Sequence, residues 1–99
     1  MTPVCPIDAL GENETTSVVV NERRIVLVRS NGEYFALEDR CSHQDTPLSG
    51  GRVRRGYIAC PLHGVMFDLK TGAPNGTLTK KCVQTYPVEI IDKTVHVGV

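Results

Sequence analysis

Short apolar runs broken by turn residues recur along the whole chain. SVVV at residues 17–20 and RRIVLVR at 23–29 are rich in β-branched side chains and read as strands. Asn31-Gly32 follows, two residues that tolerate positive φ, so RIVLVR and EYFALED are expected to pair through a two-residue hairpin. Arg54-Arg55-Gly56 marks another turn, and Lys70-Thr71-Gly72 a further one after VMFDL at 65–69. QTYPVEIID and then TVHVGV close the chain as a hairpin turned at Asp92-Lys93, so that the chain stops on a strand. No convincing helical pattern is present. The pattern predicts an all-β fold, a small sandwich or barrel. Two segments break the strand rhythm: Asp39 to Gly51, and Ala73-Pro74-Asn75-Gly76-Thr77. Residues 1–16 are the least informative part.

Composition narrows the partners. A chain of 99 residues supports one domain with a single modest core, and no composition shift marks a boundary within it. Eleven Lys+Arg against eleven Asp+Glu give formal neutrality, which indicates neither a nucleic-acid footprint nor an anionic-membrane patch. Arg52, Arg54, Arg55, Lys80 and Lys81 read as solvated turns, with a basic docking surface as the sharper alternative. The N-terminus lacks a basic segment followed by an apolar run, and no window approaches the ~20 apolar residues of a membrane span. The expected location is the cytoplasm, where the sequons at Asn13 and Asn75 carry no meaning. In a reducing compartment, four cysteines, two of them grouped with histidines, favour metal ligation over disulfides.

The grouping is specific. Cys41-Ser42-His43 is followed, sixteen residues on, by Cys60-Pro61-Leu62-His63. Each knuckle offers one thiolate and one imidazole, and three readings compete. A structural zinc ion accepts two cysteines and two histidines, but finger-type sites usually pair like ligands within a knuckle. A two-iron cluster accounts for the mixing if one iron takes both cysteines and its neighbour both histidines, because each loop must then supply one ligand to each metal. A nucleophilic Cys60–His63 pair leaves the matching Cys41 and His43 without a role.

The two knuckles together resemble the Rieske [2Fe-2S] motif, C-x-H and, about sixteen residues later, C-x-x-H. Leu48, Gly50-Gly51, Gly64, FDLKTG at 67–72 and the Pro74 loop extend the resemblance over most of the chain. It implies a Rieske-type all-β domain over residues 1–99, with a cluster-binding subdomain of two loops at one tip. Those loops span about 39–51 and 58–67, with a proline loop at about 73–77. It also implies one [2Fe-2S] cluster per chain, ligated by Cys41, His43, Cys60 and His63. Two ferric ions and two sulfides carry about +2, which two thiolates cancel, whereas four thiolates would leave about −2; a neutral site accepts an electron more readily. The respiratory and photosynthetic relatives add a disulfide between the loops, but this chain has Thr46 and Leu62 at the matching positions. They also place Ser and Tyr hydroxyls where Val65 and Phe67 stand here, so two donors to cluster sulfur are missing and the low end of the Rieske potential range is expected.

Size then limits function. A ring-hydroxylating oxygenase needs a mononuclear iron on two histidines and a carboxylate, but His96 is the only histidine left; nor does the chain hold a glycine-rich turn for flavin or nicotinamide. The resemblance thus implies a soluble one-electron carrier, not itself an enzyme, between a flavin-containing, NAD(P)H-dependent ferredoxin reductase and a terminal ring-hydroxylating oxygenase. His43 and His63 are the expected electron exit, with Pro47, Leu62 and Pro74 as an apolar docking patch. A fixed small subunit of a larger oxidoreductase such as a nitrite reductase, and a zinc-stapled interaction module, are the alternatives. His96 is expected on one face of the last strand, and Cys5 and Cys82 as ordinary buried or half-buried thiols.

Overall fold

The structure is a computed structural model and describes residues 1–41, 46–61, 64–76 and 81–99. Eleven strands account for the ordered elements and no helix occurs among the described residues. In chain order they are β1 (Thr2–Pro6), β2 (Thr15–Val20), β3 (Arg23–Ser30), β4 (Glu33–Glu38), β5 (Val53–Arg54), β6 (Tyr57–Ala59), β7 (Met66–Asp68), β8 (Pro74–Asn75), β9 (Thr85–Tyr86), β10 (Val88–Ile91) and β11 (Thr94–Val97). All pairings are antiparallel, in three sheets with the orders β1-β11-β10, β2-β3-β4-β9 and β5-β6-β7-β8. The expected all-β fold is the observed one.

Local chemistry sets the hairpins. Asn31 and Gly32 sit at φ 57° and 77°, Arg55 and Gly56 at 53° and 82°, and Asp92 and Lys93 at 50° and 62°, the left-handed pairs that match the twist of flanking strands. A further hairpin, at Asn21 and Glu22 with φ 51° and 66°, joins β2 to β3 with Val20 opposite Arg23.

The middle sheet is covered on both faces, and β3 shows why. Ile25, Val26, Leu27 and Val28 are all fully buried, which one covered face cannot achieve, because successive side chains point to opposite sides. Ile25 and Leu27 join Tyr34, Ala36, Val95 and Val97 in the core toward the three-stranded sheet. Val26 and Val28 join Leu37, Ile58, Phe67 and Leu69 in the core toward the sheet β5-β6-β7-β8. Burying such side chains contributes roughly 1.5–3 kcal/mol each. Tyr34 also stitches the N-terminal segment down: its hydroxyl donates to the Ile7 carbonyl at 2.7 Å and accepts from the Leu10 amide at 3.2 Å.

Three elements depart from the pattern expected of the sequence. The N-terminal residues form β1, paired with β11, which is therefore a central strand. QTYPVEIID is two strands rather than one: β9 pairs with β4 in the middle sheet, and β10 pairs with β11 in the outer one. Pro87 stands between them and has no N–H for a ladder, so the chain changes sheets there. The proline loop contains the short strand β8, with Pro74 opposite Phe67 and Asn75 opposite Met66.

Candidate metal centre

The sheet β5-β6-β7-β8 carries two cysteine loops at one end. Cys60 follows β6, and its amide donates to the Val65 carbonyl at 2.8 Å, while its carbonyl accepts from the Gly64 amide at 2.9 Å. Gly64 adopts a φ of 71°, which its lack of a side chain permits. In the other loop the Cys41 amide donates to the Thr46 carbonyl at 2.8 Å. Each cysteine is thus anchored through a backbone hydrogen bond from its own amide.

Two further contacts hold the loops in place. Asp39 is 5% exposed and forms a carboxylate brace. It accepts from the Ser17 hydroxyl at 2.9 Å, the Ser49 amide at 2.7 Å and the Ser49 hydroxyl at 3.0 Å. The start and end of the Cys41 loop are thereby fastened to each other and to β2 by charge-assisted bonds. Gly51 then brings this loop against the other. A Cβ there would lie 2.0 Å from the Ala59 carbonyl oxygen, one residue before Cys60, and 2.9 Å from that of Leu48. Only a residue without a side chain permits that approach. Gly51 was legible as part of a quoted Gly-Gly pair, but its role was not; Asp39 gave no motif signal beyond standing at the edge of a loop.

The Cys41 and Cys60 side chains, 1% and 2% exposed, belong to one apolar cluster with Leu48, Val65 and Phe67. Both are free of disulfides. Two buried, unbridged thiols at one end of the fold suit a metal with two sulfur ligands, so the residues present fit an iron–sulfur group. His43, His63 and Leu62 lie outside the described residues, as do Thr77 of the proline loop and Lys80. Among the described residues no group of three or more His, Cys, Asp and Glu side chains gathers as a metal site. Pro47 is exposed and Pro74 half-buried. Thr46 is half-buried, and Val65 and Phe67 are buried apolar side chains.

The other singled-out residues lie on β1, on β11 and before β9. His96 lies on β11 as expected, half-buried, its Nδ1 3.0 Å from the Thr94 carbonyl oxygen. Cys5 is half-buried on β1, and burial pushes its thiol pKa up. Cys82 departs from expectation: it is exposed.

Fold and site together define a small all-β domain whose buried thiols are gathered on two loops at one end. The family model for the Rieske [2Fe-2S] domain matches residues 1–87. The chain is 38% identical over 97 residues to the anthranilate 1,2-dioxygenase ferredoxin subunit of Burkholderia cepacia, covering 98% of this chain and 90% of that one. Among solved structures, the ferredoxin of carbazole 1,9a-dioxygenase from Nocardioides aromaticivorans IC177 superposes with a TM-score of 0.90 at 30% identity, covering 98% of this chain and 97% of that one. A chain in the complex of reduced oxygenase and oxidized ferredoxin in carbazole 1,9a-dioxygenase reaches 0.91 at 27% identity, covering 97% and 99%. The chain belongs to the Rieske [2Fe-2S] domain family. Its cofactor is accordingly one Rieske-type [2Fe-2S] cluster per chain.

Proposed function

We propose that this chain is the one-electron carrier of an aromatic-ring dioxygenase system, passing electrons from a flavin-containing, NAD(P)H-dependent ferredoxin reductase to a terminal ring-hydroxylating oxygenase. The observation that carries the reading is the pair of buried, unbridged thiols of Cys41 and Cys60 on loops clamped together at Gly51. The names of the ferredoxin relatives and of the oxygenase–ferredoxin complex support the partners. Cys41, His43, Cys60 and His63 are the ligands in this reading, and residues 1–99 act as one domain. When bound, the cluster takes up and gives back a single electron. The chain itself binds, excludes water from the thiolate side through Leu48, Val65 and Phe67, and holds the two loops at fixed separation.

The apolar surroundings also support the choice of potential. Val65 and Phe67 place no hydroxyl toward the site, so the low end of the Rieske range, roughly −150 mV, is the expected midpoint. Voltammetry of the purified red-brown protein tests this: a reversible couple near that value supports the carrier, and a midpoint well above 0 mV removes the argument from missing donors. A protein that is colourless and redox-silent would fit the zinc alternative instead.

His43 and His63 are the proposed electron exit, with Pro47, Leu62 and Pro74 as the apolar docking patch around it. Leu62→Glu should slow turnover with the reductase and oxygenase while leaving the visible spectrum unchanged; an unaffected rate argues against this surface. Among the described residues no helix is long and apolar enough to cross a membrane, which is compatible with the proposed place in the cytoplasm.

A further inference from the structure

Val53, Ile58 and Phe67 of the sheet β5-β6-β7-β8 point into one core with Cys41 and Cys60, so the alternate residues of the same strands point the other way. Register fixes what lies side by side on that outer face. Ala59 stands opposite Met66 and Met66 opposite Asn75, and the Ala59 amide donates to the Arg52 carbonyl at 2.8 Å, so Arg52, Ala59, Met66 and Asn75 form one row across the sheet. Arg54, Tyr57 and Asp68 form the next. The first row is the one at the cysteine end: Ala59 precedes Cys60, and Met66 follows Val65, whose carbonyl accepts from the Cys60 amide.

This face has an apolar centre and a polar rim, the make-up of a docking surface. Met66 is exposed with half-buried Ala59 and Tyr57 beside it, and Arg52, Arg54 and Asn75 are exposed around them. The charge is one-sided. Arg52 and Arg54 make no ion pair among the described residues. Asp68 is the one carboxylate that the register places on the face, and its Oδ1 accepts from the Lys70 and Thr71 amides. Over residues 46–76, Arg52, Arg54, Arg55 and Lys70 against Asp68 leave a formal charge of +3, in a chain whose net charge is +0. Arg55 and Lys70 share a groove of about 610 Å³ with Glu12 and Glu33, which leaves Arg52 and Arg54 as the cations open to a partner. Their Cα atoms stand about 7 Å apart along the strand direction, and each guanidinium offers a planar fork of donors that matches a carboxylate. A second copy of the chain would set arginine against arginine and does not fit.

We propose that the outer face of the sheet β5-β6-β7-β8 docks a protein partner, which seats an apolar spot on Met66 and Ala59 and presents neighbouring carboxylates to Arg52 and Arg54. The proposal rests on the carrier reading and adds a second surface, of stated chemistry, to the proline and leucine patch. Because the row through Arg52 and Met66 adjoins Cys60 and Val65, a partner held there lies against the Cys60 loop. Complementary charge at that place raises encounter rates and fixes orientation, at the cost of sensitivity to salt.

The experiment is voltammetry of the holoprotein on gold coated with carboxylate-terminated or hydroxyl-terminated monolayers, the carboxylate layer serving as the acidic surface. Wild-type protein should exchange electrons faster on carboxylate than on hydroxyl at low ionic strength, and salt should remove the difference. The double variant R52E/R54E should lose about tenfold in rate on carboxylate while keeping its hydroxyl rate, which also shows that the domain and cluster are intact. R52Q/R54Q should fall between the two. R23E/R24E makes the same change in net charge at the exposed start of β3 and should behave as wild type. Equal rates for R52E/R54E and wild type on carboxylate, or equal losses in both reversed variants, would overturn the proposal. So would faster exchange on a phosphate-terminated layer diluted to equal surface charge, which would point to a nucleic acid or a lipid instead of a protein. No couple on any monolayer from wild-type protein would bring down the carrier reading, and the docking face with it.

Discussion

Adding one methyl group at Gly51 tests whether the two ligand loops depend on each other. The Cβ of Gly51→Ala would meet the Ala59 carbonyl oxygen at 2.0 Å and the Leu48 carbonyl oxygen at 2.9 Å, both backbone atoms with no rotamer to escape into. Relief requires the Cys41 loop to move off β6 by about 1 Å, an overpacking strain of roughly 1–3 kcal/mol. The same movement stretches the hydrogen bonds from the Gly51 amide to Leu48 at 2.9 Å and from the Ala59 amide to Arg52 at 2.8 Å, each worth about 1 kcal/mol. The total is about 3–5 kcal/mol, which for a domain of this size lowers Tm by roughly 12–40 °C. Gly50→Ala is the matched control: no atom lies within 4 Å of its Cβ, and the cost is the left-handed φ of 86°, about 1–2 kcal/mol. Thermal unfolding followed by circular dichroism, with iron content measured on the same samples, gives the comparison. G51A should be the less stable of the two and should retain less iron. A G51A protein as stable and as fully loaded as G50A would refute the interlocking of the loops.

Three further outcomes are expected. Asp39→Ala removes the acceptor for Ser17 and Ser49 and should cost about 2–3 kcal/mol in urea unfolding, with Asp39→Asn milder because one oxygen still accepts. Glu12 accepts hydrogen bonds from the Asn31 and Gly32 amides, and these, the Asn31 bond first, hold its pKa below the usual carboxylate value. A group depressed on folding stabilises above its unfolded pKa of about 4.3 and loses that contribution as pH falls through the folded value. The stability gap between wild type and Glu12→Gln should therefore be present near neutrality and close in acid; a gap constant with pH would contradict the assignment. Iodoacetamide should label exposed Cys82 first and Cys5 much more slowly, because burial keeps the Cys5 thiol protonated; mass spectrometry of wild type and Cys82→Ser checks the order.

The sequence alone determined those features that depend on neighbours along the chain. The left-handed pairs Asn31-Gly32, Arg55-Gly56 and Asp92-Lys93 are set by local φ, and the hairpins they turn were legible in the residue types. The spacing of Cys41, His43, Cys60 and His63 was equally legible, since a knuckle is a local object. Tertiary structure decided what depends on segments meeting from afar. QTYPVEIID reads as a single strand, and that β9 and β10 belong to different sheets follows from which strand edges were left open. The run from Ile25 to Val28 announced a strand, and only the layers on both sides explain why every residue in it is apolar. The brace from Asp39 to Ser17 joins residues far apart in sequence, and the contact of Gly51 with Ala59 joins two separate loops. No short-range pattern encodes such meetings, because the packing of the two cores, not local propensity, brings those backbones together.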